Sequence, residues 1–297
     1  SLYKKLNEQI DFEFETKGIL MLCKGEKTLE EEIAVSIMAK DIGMKAKNLN
    51  PAEINKLETG MKTEIAGGVY YPSDAHFNPG LYLSSMKKIL VNSGVKIFHK
   101  TKVHSINIDK EKITSVNTEH DNWKAKKFIL CAGSFSSKLV KQIKLKMPLM
   151  GGKGYSISID NIQKKPALPA ILVEARIAST PMGKIWRLGG TMTVTQGSTK
   201  INNRKLSAMV RNVKKYYPEY NISSAQSLKP WVGLRPLSAD GLPYIGPFKK
   251  YPNLIAATGH AMLGVSLAPV TGHLVSNIIS EEGSDYDMKL LSPDRFN

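Results

Sequence analysis

Two neighbouring segments near the C-terminus constrain this chain most: WVGLRPLSADGLPYIGPF at residues 231–248 and NLIAATGHAMLGVSLAP at residues 253–269. Apolar runs interrupted by Gly233, Gly241, Gly246, Gly259 and Gly264 describe short strands joined by tight turns. At such points the backbone can lie against a flat or anionic group. Arg235, between Leu234 and Pro236, presents a planar fork of donors that matches a carboxylate. These residues predict one wall of a pocket, with a cation directed at an acidic ligand. The alternative is a structural arginine that satisfies backbone carbonyls beside Pro236.

The rest of the chain bounds the class. Its 297 residues, 42% hydrophobic and 23% charged, suffice for one large core or two modest ones. No apolar run reaches the roughly 18 residues of a membrane-spanning helix. The most apolar stretch, 261–279, carries Ser266, Thr271, His273, Ser276 and Asn277 and predicts a buried helix. A net charge of +16 would suit nucleic acid, but the lysines fall in scattered pairs such as Lys87-Lys88 and Lys214-Lys215. With no dense run and no aromatic interleaving, they predict a solvated surface. Cys23 and Cys131 each sit in an apolar run and predict buried free thiols in a reducing compartment. The six histidines are dispersed, so no metal site is expected.

Along the chain, 18–23 predicts a buried strand, and 26–43 a helix with Leu29, Ile33, Ile37, Met38 and Ile42 near helical spacing and Gly43 as its stop. Asn50-Pro51-Ala52-Glu53 and Asn78-Pro79 are helix starts; the second helix ends at Gly94 with Leu81, Met86, Ile89 and Leu90 inward. Strands follow at 95–98, 103–108 and 113–118, then a buried strand from Lys127 that ends in the small-residue turn Ala132-Gly133-Ser134. Further strands are expected at 155–159, 171–178 and 184–194, an amphipathic helix at 203–217, strands at 228–234 and 253–258, and a closing helix at 264–279. Strict βα alternation is absent, which implies an α+β arrangement. Glu174 and Arg176 would share one face of their strand. There they would bind a polar substrate group, or form an ion pair in solvent.

Four pieces in order, Gly233-Leu234-Arg235-Pro236, Asp240-Gly241-Leu242-Pro243, Ile245-Gly246-Pro247, and Gly259-His260 with Gly264 and Ala268-Pro269, resemble the FAD-dependent D-amino-acid dehydrogenase and glycine oxidase family. Fainter similarity covers most of the chain. The resemblance implies a mixed α/β fold with a substrate domain (1–70 and 148–233) interleaved with an FAD domain (71–147 and 234–297). It implies FAD as cofactor and a D-amino acid or similar small carboxylate as substrate. Oxidation at the Cα–N bond would give an imine that hydrolyses to a 2-oxo acid and ammonia. Arg235 would bind the substrate carboxylate, with Glu174, Arg176 and Met262 bordering it. Cofactor neighbours would be Val103, Ala132, Gly133, Gly233, Gly259, His260, Ala261, Met262, Leu263, Gly264, Val265 and Ser266. Each has a plain reading beside this one: Val103 as strand core, Ala132-Gly133 as a simple junction, His260 as a packed turn residue.

Two departures stand out. Glycine oxidase has an arginine where Met262 stands, which weakens a glycine-specific assignment. The family's GxGxxG turn, which seats a pyrophosphate at a helix N-terminus, does not occur here. Gly151-Gly152-Lys153-Gly154 has the wrong spacing and continues as a strand. We therefore expect a chain truncated after an N-terminal βαβ unit, holding FAD weakly or not at all. The expected location is cytoplasmic, with peripheral membrane contact through a quinone acceptor as a variant, and no nucleic acid as partner. The alternatives are a sarcosine, hydroxyproline or 2-hydroxy-acid oxidoreductase of the same fold, or a basic non-enzymatic module that binds nucleic acid or lipid.

Overall fold

The structure, a computed structural model, describes residues 2–160, 162–195, 197–220, 228–284 and 286–296. Its strands are β1 (Ile19–Cys23), β2 (Lys47–Leu49), β3 (Gly67–Tyr71), β4 (Ser105–Asp109), β5 (Lys112–Asn117), β6 (Asn122–Lys124), β7 (Phe128–Leu130), β8 (Leu149–Ile159), β9 (Ala170–Leu172), β10 (Ile177–Met182), β11 (Ile185–Thr195), β12 (Leu228–Ser238), β13 (Tyr244–Pro247) and β14 (Leu254–Thr258). The helices are α1 (Leu2–Asn7), α2 (Glu26–Asp41), α3 (Pro51–Leu57), α4 (Pro79–Asn92), α5 (Ser136–Gln142), α6 (Asn203–Tyr216) and α7 (Gly264–Ser280).

Eight strands form one mixed sheet in the order β12-β8-β11-β10-β9-β1-β3-β2, and two three-stranded sheets, β13-β14-β7 and β4-β5-β6, stand beside it. The long strands β12, at the sheet's edge, β8 and β11 pair antiparallel, whereas β1 joins β9 in parallel. The mixed α/β architecture matches the expectation.

Alternation sorts the large sheet into a core face and an open face. On the core face, Tyr155, Ile157, Trp186 and Leu188 pack under α6, which supplies Met209, Val213 and Tyr216. Trp186 is fully buried. Its indole donates to Ser179 Oγ at 2.9 Å and meets Tyr217 and Tyr220 edge-on. A second core joins the small sheets to α5 through Ile113, Leu130, Val140, Tyr244 and Phe248.

Two polar clamps, the first of them buried, tie loops to this frame. Glu58 is 2% exposed and accepts from the amides of Gly60 (2.8 Å), Met61 (3.3 Å), Ala167 (2.7 Å) and Leu168 (2.9 Å). Arg295 pairs bidentately with Asp240, both contacts at 2.8 Å, and its guanidinium stacks 3.9 Å from the Tyr244 ring centroid. Within Asp240-Gly241-Leu242-Pro243, Asp240 also accepts from Leu242 N. This motif is thus an anchor for the C-terminal tail.

Several expectations need correction. Residues 95–98 form no strand, and Val103 precedes β4. The helix expected at 26–43 forms as α2, but its spaced apolar residues do not share one buried face: Ile37, Met38 and Ile42 are exposed, while Ser36 is buried and bonds Ile33 O and Asn48. Leu81, Ile89 and Leu90 of α4 are part-exposed, and within α7 only Thr271 and Leu274 are buried. Periodicity marks an apolar stripe, but it does not say whether another element covers that stripe. Cys23 is buried as expected; Cys131 is exposed, because it follows β7 at the edge of a small sheet. No helix among the described residues is long and apolar enough to cross a membrane.

The Arg295 pair holds Asp240 at a pKa of about 2, below its ordinary 3.8. A depressed carboxylate pKa contributes stability that is present above the unfolded value and is lost as pH falls through the folded one. Acid titration of unfolding should show loss of this contribution between about pH 4 and pH 2, and Asp240→Asn should flatten the curve in that window. Glu58→Ala, which strands four amides, should cost at least ~2 kcal/mol in urea unfolding.

Candidate functional site

The open face of the large sheet is floored with glycine. In the β12–β8 register Arg235 lies opposite Gly152, Gly233 opposite Gly154 and Trp231 opposite Ser156. In the β11–β8 register Arg187 lies opposite Ser158 and Gly189 opposite Ser156. Directly opposed residues point to the same face. Arg187, Arg235, Gly154, Gly189, Gly233, Ser156 and Trp231 therefore share one surface.

Missing side chains make room for specific neighbours. A Cβ built on Gly154 would fall 2.8 Å from Arg235 Cζ and 3.0 Å from each terminal nitrogen, so the guanidinium lies on the bare backbone of β8. One on Gly233 would fall 2.1 Å from the Trp231 indole, which covers that position while remaining 59% exposed. Gly189 has open space above it. A bulge at Thr191 (φ 47°) shifts the β11 register by one, so that Met192 and Val194 turn onto this face.

Both arginines are half-buried. Burial pulls Arg235 below its ordinary pKa, and burial together with the Arg235 charge pulls Arg187 down. Neither guanidinium has a hydrogen-bond acceptor or ion-pair partner among the described residues. Strands β8 to β12 contain no aspartate or glutamate. A desolvated cation without a counter-ion is costly, and a bound anion relieves that cost.

A second group of residues converges at the carboxyl ends of the parallel strands β7 and β14. Thr258 donates to Gly133 O at 3.3 Å, which joins the two strand ends. Gly259 adopts φ +85°, and a Cβ there would strike the Tyr244 ring at 2.9 Å. Ala261 N donates to Pro236 O at 2.9 Å, and His260 bridges Leu237, so the 259–263 turn abuts the end of β12 just beyond Arg235. A cavity of about 320 Å³ opens here between Ser134, Phe135, Leu149, Met150, Gly151 and Thr195. Its lining exposes Phe135 (55%) and Met150 (49%), and the 259–263 turn exposes Met262 (67%) and Leu263 (57%). An apolar rim beside close-approach glycines, next to the free end of α7, fits a large flat heterocycle with an anionic edge.

The expected residues divide accordingly. Ala132, Gly133 and the run Gly259 to Ser266 meet at this junction, with Arg235 alongside. His260 packs inward: its Nε2 lies 2.9 Å from Thr271 Oγ1, and burial holds its pKa below the ordinary value. Gly233 lies beneath Trp231. Val103 lies apart, ahead of the β4-β5-β6 meander. Glu174 and Arg176 are not on a strand; they occupy the turn between β9 and β10, with Arg176 exposed at φ 52°. Glu174 accepts from Lys24 N (2.9 Å), Gly25 N (3.0 Å) and the Tyr216 hydroxyl, which fixes the start of α2. Burial opposes its ionisation, but these hydrogen bonds outweigh burial and hold the carboxyl below its ordinary range. Sequence reasoning missed Arg187. Its signal was the Trp186-Arg187-Leu188 alternation, a cation between two core residues of a strand, which places it opposite the core. A larger cavity of about 600 Å³, lined by Lys153, Lys200, Arg204 and Lys205, lies on the other face of β8. There Lys153 bonds Lys200 O and Lys205 bonds Thr193, so those cations already have partners.

Comparison with known proteins follows from this geometry. Residues 1–278 match the family described as FAD dependent oxidoreductase (DAO). The chain is 28% identical over 284 residues to the D-amino acid dehydrogenase of Helicobacter pylori strain J99, covering 95% of this chain and 67% of that protein. It is 26% identical over 299 residues to the D-amino acid dehydrogenase of Vibrio atlanticus, covering 98% and 70%. The fold superposes on glycine oxidase from Geobacillus kaustophilus with a TM-score of 0.87 at 21% identity, covering 98% of this chain and 78% of that one. On L-proline dehydrogenase from P. horikoshii the TM-score is 0.84 at 18% identity, covering 99% and 80%.

Gly154→Ala should displace the Arg235 guanidinium while leaving the fold intact, because the new Cβ meets only the far end of a flexible side chain. Thermal melting should move little. Affinity for small carboxylates, measured by calorimetry, should fall about tenfold.

Proposed function

The chain belongs to the DAO family of FAD-dependent oxidoreductases, and on that premise we propose that it oxidises the Cα–N bond of a D-amino acid. The observation that carries this reading is Arg235: a half-buried guanidinium without a counter-ion, seated on the bare backbone of Gly154 and beside the Pro236–Ala261 contact. It is supported by relatives named D-amino acid dehydrogenase along nearly the whole chain.

Arg235 binds the substrate carboxylate as a bidentate pair. Rigid neighbours fix its direction: Pro236 follows it, and β8 lies beneath it. Gly189, with open space above it, leaves room for the substrate beside Arg235. Ala132, Gly133 and the Gly259–Ser266 segment would hold the cofactor, and the α7 N-terminus would favour negative charge on it. When bound, the flavin supplies the hydride acceptor. No paired acid and base is required of the chain, since a substrate amine that is already neutral needs no deprotonation. Met262 and Leu263 exclude water from the apolar side. This sequence has no GxGxxG turn. We therefore expect weak FAD affinity for the chain as it stands, which fluorescence titration measures.

The test is dye reduction by the protein loaded with saturating FAD, across D- and L-amino acids, sarcosine, hydroxyproline and 2-hydroxy acids. D-amino acids should be the substrates. A flavin-loaded protein that ignores them, or prefers hydroxyl substrates, overturns the reading. Arg235→Leu should lower kcat/KM about a hundredfold while the FAD dissociation constant stays within about twofold.

A further inference from the structure

We infer that the site takes a substrate with two carboxylates, an acidic amino acid or a related dicarboxylic amine, held between Arg235 and Arg187. The inference deepens the proposed function and rests on its assignment of the arginine-bearing face as the substrate site.

The sheet places these two cations on one face from two different strands. Arg235 comes from β12 and Arg187 from β11, on either side of glycine-rich β8. Each is half-buried, and their like charges repel. The Arg235 guanidinium projects along β8 over Gly154, inward from its own register position at Gly152. Arg187 stands at Ser158, farther along the same strand. Between them lie Ser156 and the uncovered backbone of Gly189.

A single carboxylate is fully matched by one arginine fork. It leaves the second guanidinium desolvated and repelled, an arrangement that costs stability for no gain in binding. Asp160, which follows β8 directly, is taken by Lys229. Strands β8 to β12 carry no acid, and none among the described residues pairs with Arg187. A second carboxylate on the ligand does. The floor between them suits a short aliphatic linker, because Gly189 has open space above it and the exposed Trp231 indole, lying over Gly233, offers an apolar surface beside it. Arg187 thereby selects for the substrate side chain, while Arg235 fixes the α-carboxylate common to all amino acids.

Calorimetric titration of the chain tests this without any turnover. The probes are malonate, succinate and glutarate, with acetate and butyrate as monocarboxylates and glycerol phosphate as a phosphomonoester. At least one dicarboxylate should bind tenfold or more tighter than the monocarboxylates. Arg187→Leu should abolish that preference, and Arg235→Leu should weaken both classes. Arg187→Gln keeps a polar amide donor on a shorter, uncharged side chain, and should lose the dicarboxylate preference as the leucine variant does, which covers the case in which the latter folds poorly. Equal binding of mono- and dicarboxylates overturns the inference. So does a preference that survives loss of Arg187, or tight phosphomonoester binding with no dicarboxylate preference. Flavin-loaded turnover separates this inference from the proposed function. Selective dicarboxylate binding with no D-amino acid oxidation keeps the two-arginine site and removes the oxidoreductase reading. Oxidation of D-alanine at least as fast as D-aspartate and D-glutamate, with equal carboxylate binding, does the reverse.

Discussion

The site depends on side chains that are missing. Strands β8, β11 and β12 bring Gly152, Gly154, Gly189 and Gly233 onto one face of the large sheet. In the interior of a strand glycine forgoes packing and adds backbone entropy to be lost, so such a patch weakens the sheet it occupies. What it permits is direct contact between backbone and guanidinium. Arg235 lies on Gly154 at a distance where any Cβ would collide. The opposite face compensates: Trp186, Tyr155, Ile157 and Leu188 make a dense core with α6.

Charge placement follows the same division. Acids that matter to the fold are consumed by it: Glu58 by four amides, Glu174 by the start of α2, and Asp240 by Arg295. Arg187 and Arg235 stand on strands devoid of acids, and each is drawn below its ordinary pKa by burial. An unpaired, partly desolvated cation raises the free energy of the empty protein, and that free energy becomes available when an anion enters. On the proposed reading, the two arginines lend that free energy to the binding of a small acid.

The Arg235 face and the Ala132–Gly259 junction are linked through backbone. Ala261 N bonds Pro236 O, and His260 bridges Leu237, so the turn at the end of β14 is fixed to the strand that carries the cation. His260, held uncharged by burial and turned toward Thr271, stiffens that turn. A ring seated against Gly133 and Gly259 and an acid held by Arg235 would accordingly keep a constant relation to each other.

Local chemistry made much of this legible in the sequence. The Asn50-Pro51-Ala52-Glu53 capping box, the Asn78 cap and the Gly259 turn each rest on contacts between near neighbours, and each formed as read. What failed depended on distant partners. The strand expected at 228–234 runs on through Arg235 to Ser238, because β8 pairs with it along that whole length. Ile37 and Met38 keep helical spacing, yet both are exposed. Glu174 and Arg176 looked like strand residues, but β9 ends at Leu172 and the chain turns to pair with itself. Arg187 passed unnoticed because the Trp186-Arg187-Leu188 alternation says which side of its own strand it takes, and not what shares that side. Only the registers of β11 and β12 on β8 set it on the same face as Arg235. Sequence determined which residues can turn, cap and carry charge, since those properties belong to a residue and its neighbours. Tertiary structure decided which charges meet, because strand order and register are settled by burial of the whole sheet.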